Sequence, residues 1–348
     1  MTDGRLSLRG TTNWEVLAAL RFVLAGIVLS THLPMFVSGS VRWAEALRQL
    51  SGKAAVVGFL IVSGYSISAS LSRDREGFYR RRFLRIYPLY AFTLVVGTVL
   101  EHLARGPIGV PPNTFVGRDW LTTIGNFLFL QTFLVKPVVF AGVVWSLAIE
   151  VFYYVCAPLF ARLSRRTLIT MIVVSGLIFV LPKRDELGLP YMFLRLNAFR
   201  YLWCWLLGFM LERHRDRLVE LLSVAAVAVV IFGEATTEPL AFLTYLVSLV
   251  LVLEARRVAL PRSLRGAADY LGDLSYPLYL LHLPVFIFGY GFLGLRTPLP
   301  LVALVVVVTL FAFHVIDRAL KRRVLAPLIL GRRAPAAYPA VSVDTSPG

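Results

Sequence analysis

Apolar residues run along this chain in long blocks separated by short polar, mostly basic stretches. The blocks fall at about 16–36, 54–72, 86–103, 143–161, 167–182, 197–212, 218–233, 240–255, 272–292 and 300–320. Each is long enough, with tilt, to cross a bilayer as a helix. One further run, 122–135, is short and bracketed by Trp120 and Gln131, and it reads either as a span or as a re-entrant segment. The pattern predicts an all-α, polytopic membrane bundle of about ten transmembrane helices.

Composition agrees. Hydrophobic residues make up 57% of the 348, against about 45–50% in soluble domains, and mean hydropathy is +0.72. A net charge of +16 raises nucleic acid as a partner. The charge lies in short runs between apolar blocks, which is the pattern of cytoplasmic loops, so no nucleic-acid partner is expected. If 122–135 does not span, 24 of the 36 Lys and Arg fall on the side of the N-terminus and 10 on the other, with Arg21 and Arg200 inside spans. If it did span, every later loop would change sides and the asymmetry would collapse. The positive-inside rule therefore predicts that both termini are cytoplasmic.

The expected organisation is a cytoplasmic tail over 1–13, a transmembrane domain over 14–323 and a partly disordered cytoplasmic tail over 324–348. The small residues at 37–40 suggest a signal-peptide site, but Arg21 and the length of the first block argue against one. Cys156 and Cys204 both lie in apolar blocks, so neither a disulfide framework nor a redox site is expected, and no Cys/His group has metal-ligand spacing. The longest loops hold about twenty residues, which leaves chemistry to the helical bundle itself.

Ionisable groups inside the apolar blocks are the candidates, because they are costly to hold in lipid. Arg21 and His32 share the first block. Helical rise separates them by about 16 Å, one near each face of the bilayer. His32 suits a general base; the plainer reading is a packing histidine bonded to a backbone carbonyl or a hydroxyl. Glu150 lies in the fourth block at what its position there puts as a similar depth to His32. It could orient the imidazole, hold a hydroxylated acceptor, or simply pair with Arg200. Arg82 and Arg85 are three apart, so on a helix they share a face and could grip phosphates, with Arg21 joining from the same membrane side. Alternatively they form a juxtamembrane cationic loop that binds anionic lipid. Ser63 and Tyr65 in the second block, Trp145 in the fourth, and Tyr276, Tyr279 and His282 in the ninth are candidate cavity-lining or substrate-binding residues, or packing residues with satisfied hydroxyls. Gly64 and Ser68 form a small-xxx-small pair suited to close helix packing. His314 and Asp317, three apart, are expected to pair with each other; His102 and His214 are given no role.

Taken together, RFVLAGIVLSTH, FLIVSGYSISASL, FYRRRFLRIYPLY, VVWSLAIEVFYYVCAPLF, FRYLWCWLLGFML and LGDLSYPLYLLHLPV resemble the integral-membrane acyltransferase 3 family, in its motif order from about residue 14 to 320. The resemblance implies transfer of an acyl group, commonly acetyl, from cytoplasmic acyl-CoA to a hydroxyl of a saccharide or glycan-type acceptor. It implies a role for the Arg21–His32 pair and donor contact by Arg82 and Arg85, with acyl-CoA as a substrate and no permanently bound cofactor; His32 and Glu150 are the candidate catalytic residues, and Arg21 joins the acyl-CoA-binding arginines. The chain resembles the stand-alone type, expected in a bacterial inner membrane. The competing reading is a proton-coupled transporter or flippase of a glycan or small polar solute, since buried His, Glu and Arg also serve such carriers. Against it, no clear internal repeat is visible.

Overall fold

The computed structural model describes residues 12–37, 42–104, 120–180, 197–214, 219 and 240–330. All its regular elements in that range are helical: α1 (Trp14–His32), α2 (Arg42–Arg48), α3 (Gly52–Arg73), α4 (Phe78–Leu103), α5 (Trp120–Phe127), α6 (Trp145–Phe160), α7 (Arg165–Val180), α8 (Asn197–Arg200), α9 (Leu202–Arg213), α10 (Ala241–Leu253), α11 (Arg262–Gly291) and α12 (Pro298–Ala312). α12 continues as a π-helical stretch, Phe313–Leu325, into α13 (Ala326–Leu330). The expected span at 218–233 (Val219 excepted) and the tails, up to residue 11 and beyond residue 330, lie outside the described residues.

Among the described residues, six helical stretches are long and apolar enough to cross a membrane: Trp14–Met35, Gly52–Arg73, Phe78–Leu103, Phe140–Phe160, Arg262–Gly291 and Pro298–Ile329. Others are shorter than the sequence pattern suggests. The block at 197–212 is broken at Tyr201, and its main helix, α9, has 12 residues. At helical rise that is about 18 Å, less than a hydrocarbon core of about 30 Å.

Helices pack where glycine removes the side chain. A Cβ on Gly64 would fall 1.9 Å from the Trp205 carbonyl oxygen, and one on Gly208 would fall 2.0 Å from that of Ile61, so α3 and α9 meet backbone to backbone. Gly272 of α11 lies against Ala18 of α1; Gly52 and Gly58 of α3 lie against Thr31 and Leu24, which makes α1 and α3 antiparallel. Trp203, Trp205, Tyr153 and Phe209 fill the interior. The outer faces carry bare aliphatics such as Leu177, Leu299 and Val307. In water so many would be a liability; in a bilayer they are the lipid-facing surface.

The ambiguous run at 122–135 does not extend as a membrane-crossing helix. α5 has eight residues, about 12 Å of rise. The chain then reverses through positive φ at Phe129 (59°) and Thr132 (75°). Asn126 clamps the turn: its amide donates to the carbonyls of Thr122 (2.7 Å) and Lys136 (2.8 Å), and its oxygen accepts from the Val138 N–H (3.1 Å). Gly97 of α4 faces Val138 and Ala141, so the chain after the turn packs back against α4.

The expected His314–Asp317 pair is not formed. His314 meets the Tyr270 hydroxyl (3.2 Å) and Asp317 pairs with Lys321 (3.0 Å), because an i, i+4 reach suits the Asp–Lys pair and α11 supplies the tyrosine.

Candidate active site

Eleven residues are close to three helical turns, so Arg21 and His32 emerge from the same side of α1. That side faces α11, as the Gly272–Ala18 and His282–His32 contacts establish.

The histidine end comes first. His32 closes α1, just before a single 3₁₀ turn, Leu33–Met35. Its Nδ1 lies 2.9 Å from the Val28 carbonyl oxygen and 3.3 Å from Nε2 of His282. The two rings are 5.1 Å apart and tilted by 50°. His282 is fully buried, with Nδ1 at 3.1 Å from the Leu278 carbonyl oxygen, between the rings of Tyr279 and Phe286. The Tyr279 hydroxyl pairs with Ser146 (2.6 Å) and donates to the Val143 carbonyl (3.1 Å).

Gly77, with φ +66°, turns the chain between α3 and α4 and presents the arginine-rich start of α4 at the other end. Arg82 is half-buried, its guanidinium 5.7 Å from the centre of the Phe78 ring and 6.0 Å from that of Tyr154. Arg85 is exposed and lies in electrostatic range of Arg21, as do Asp273, Tyr154 and Glu150. The Nε of Arg21 is buried and has no hydrogen-bond partner. A buried donor left unmade costs about 1–3 kcal/mol, more when charged, and a bound anion removes that cost. A cavity of about 190 Å³ opens at this end, lined by Leu71, Arg75, Phe78, Tyr79, Pro158 and Arg162; it touches neither histidine.

Glu150 belongs with the arginines. Its Oε1 accepts from the Tyr154 hydroxyl at 2.5 Å, and that hydroxyl also meets Ser63 at 3.2 Å. The expectation that Glu150 lies at the depth of His32 is corrected by register. α6 runs antiparallel to α11: Gly142 faces Leu283, Ser146 meets Tyr279, and Glu150 is in range of Tyr276. Glu150 lies four residues beyond Ser146 one way and His282 three residues beyond Tyr279 the other, so the two are about 10 Å apart in depth. Glu150 does not pair with Arg200 either, which donates to the Phe179 carbonyl (3.0 Å) and lies over its ring.

The remaining candidates divide. Ser63 joins the Glu150–Tyr154 group. Tyr276 donates to the Ile86 carbonyl (2.8 Å), tying α11 to α4 one turn from Arg82. Tyr65 meets the Thr12 hydroxyl (3.0 Å) and packs edge-on against Trp14, so it braces the start of α1. Trp145 packs on Tyr201, with ring centres 5.7 Å apart, away from the histidines. Two residues absent from the sequence candidates belong to the site. Tyr154 carried a signal, being four residues from Glu150 and hence on its face; Asp273 carried one as an ionisable residue at the start of the 272–292 block, and it stands in range of both Arg21 and Arg318 (3.9 Å).

The family model of the acyltransferase 3 domain matches residues 15–317. The chain belongs to the acyltransferase 3 family. Its apolar helices fit a multi-pass membrane protein. A curated relative, Acyltransferase MdmB from Streptomyces mycarofaciens, is 32% identical over 160 residues, which span 43% of this chain and 40% of the relative. No solved structure matches. The match runs from the start of α1 to the first turn of the π-helical segment, so Arg21, Arg82, Arg85, Glu150, His32 and His282 all lie within the family domain.

Proposed function

We propose that this acyltransferase moves an acyl group, acetyl first among candidates, from cytoplasmic acyl-CoA to a hydroxyl of a saccharide or glycan-type acceptor, in a bacterial inner membrane. One observation carries the reading. The same face of α1 holds a guanidinium with an unmet buried N–H toward the arginine loop and, three turns on, an imidazole. A donor with a polyanionic head and a long arm ending in a thioester matches that polarity. Arg82, Arg85 and Arg21 hold the phosphates and the start of the arm. The thioester reaches the level of His32, where the acceptor hydroxyl meets it.

His32 Nε2 takes the hydroxyl proton as the oxygen attacks the thioester carbonyl carbon. The C–S bond breaks, and the leaving thiolate recovers the proton from Nε2. Glu150 acts on the donor side as a counter-charge to Arg21, and it orients Tyr154.

Two measurements test this. Acetyl-CoA raises the unfolding temperature of the detergent-purified protein, and Arg82→Ala with Arg85→Ala abolishes the rise. Complementing a deletion strain restores acylation of surface glycans, and the His32→Gln gene lowers it by about 10²–10⁴-fold. The absence of a thermal shift with any acyl-CoA, or full complementation by His32→Gln, overturns the reading. A labelled acyl group trapped on His32 without acceptor replaces direct attack by an acyl-enzyme.

A further inference from the structure

We infer that His282 is the positioning residue of the transfer centre: its Nε2 lone pair receives the Nδ1–H of His32 and so leaves the His32 Nε2 bare to act as base. The inference rests on the reading of His32 as the base and deepens it.

A backbone carbonyl only accepts, so a ring nitrogen within hydrogen-bond distance of one carries its proton there. His282 Nδ1 is 3.1 Å from the Leu278 carbonyl oxygen and is therefore an N–H. The ring is fully buried, and its neighbours among the described residues are the Leu278 carbonyl and the rings of His32, Tyr279 and Phe286, with no carboxylate to hold it as a cation. A neutral imidazole has one N–H, which leaves Nε2 as the acceptor. That acceptor points at His32 Nδ1, 3.3 Å away. His32 Nδ1 is also 2.9 Å from the Val28 carbonyl oxygen, so it too carries a proton, shared between the two acceptors. Both constraints give the same tautomer independently. If His282 carried its proton on Nε2, two N–H groups would face each other and the Leu278 carbonyl would face a lone pair.

Two consequences follow. The nitrogen of His32 that is free is Nε2, the one a hydroxyl must approach. When Nε2 takes a proton, the imidazolium keeps its Nδ1–H on the His282 lone pair. His282 thus does for this base what a carboxylate does for the histidine of a serine–histidine–aspartate triad: it fixes tautomer and ring orientation and takes up part of the positive charge. Tyr279 supports it one turn below, its own hydroxyl held by Ser146 and the Val143 carbonyl.

The test uses the whole protein in lipid nanodiscs with ring-¹⁵N histidine. His32→Gln and His282→Gln identify the two sets of resonances by subtraction. Expected for both rings in the unsubstituted protein is a protonated Nδ1 and a bare Nε2. A protonated Nε2 on either ring overturns the inference, and this reading needs neither donor nor acceptor, so it stands apart from the fate of the proposed reaction. The second arm uses the complemented strain. His282→Gln places an amide oxygen near the lost Nε2 and retains acylation within about tenfold; His282→Leu, which offers no acceptor, falls by 100-fold or more. Equal activity of the Gln and Leu variants, whether both high or both low, overturns the positioning role.

Discussion

At the scale of single residues, the site divides its ionisable groups into two sets, and Glu150 is the residue whose membership matters most. Its carboxylate is held by the Tyr154 hydroxyl at 2.5 Å and lies in range of the Arg21 guanidinium. A hydrogen bond to a charged acceptor is worth about 1.5–3 kcal/mol. Tyr154→Phe removes the donor without changing shape, so it should lower the unfolding free energy by about that amount. Glu150→Gln keeps an acceptor and removes the charge. It should change acetyl-CoA affinity while leaving the ring-¹⁵N signals of His32 where they are. A shift of those signals as large as that produced by His282→Leu would show the carboxylate acting on His32 and return Glu150 to the transfer centre.

At the scale of elements, close packing sets the stability. The α3–α9 contact through Gly64 and Gly208 leaves no room for a methyl group against the opposing carbonyls. Overpacking costs about 1–3 kcal/mol even where side chains can give way, and here backbone must move. Gly64→Ala and Gly208→Ala should each lower the midpoint of thermal unfolding and the yield of folded protein. Gly26 of α1 is the control: nothing lies within 4 Å of its missing Cβ, and Gly26→Ala should raise the midpoint slightly, through up to about 1 kcal/mol of helix propensity. The same scale separates what the sequence made legible from what it did not. Helical rise and periodicity are local, so Arg21 and His32 could be placed on one face, and the Gly64–Ser68 spacing marked a close contact. Register between helices is not local. The depth of Glu150 depends on α6 beginning at Trp145 after a 3₁₀ turn kinked at Ala141, and on which residue of α11 it meets. The His32–His282 contact joins residues 250 apart in the chain. Neither has a signature within a single segment.

At the scale of the whole molecule, the basic loops meet at one end. Arg75 and Arg162 line one cavity, Arg213 donates to the Ala161 carbonyl (3.0 Å), and Arg256 reaches the Glu212 carbonyl (3.4 Å). The turns after α3, α6, α9 and α10 therefore sit together, independently of any assumption about the bilayer. Positive charge gathered at one end of a bundle is retained on the cytoplasmic side during insertion, which predicts α1 with Arg21 toward the cytosol and His32 toward the far leaflet. A phosphatase fusion, active only after export, should be silent at the C-terminus and active in the turn at 293–297, between α11 and α12, while a cytosol-dependent fluorescent reporter should give the reverse. The opposite pattern would put the arginines outside, where acyl-CoA is absent, and the donor role of Arg82 and Arg85 would fall with the orientation while the family membership and the histidine pair stood. The topology experiment therefore tests the direction of transfer separately from its chemistry.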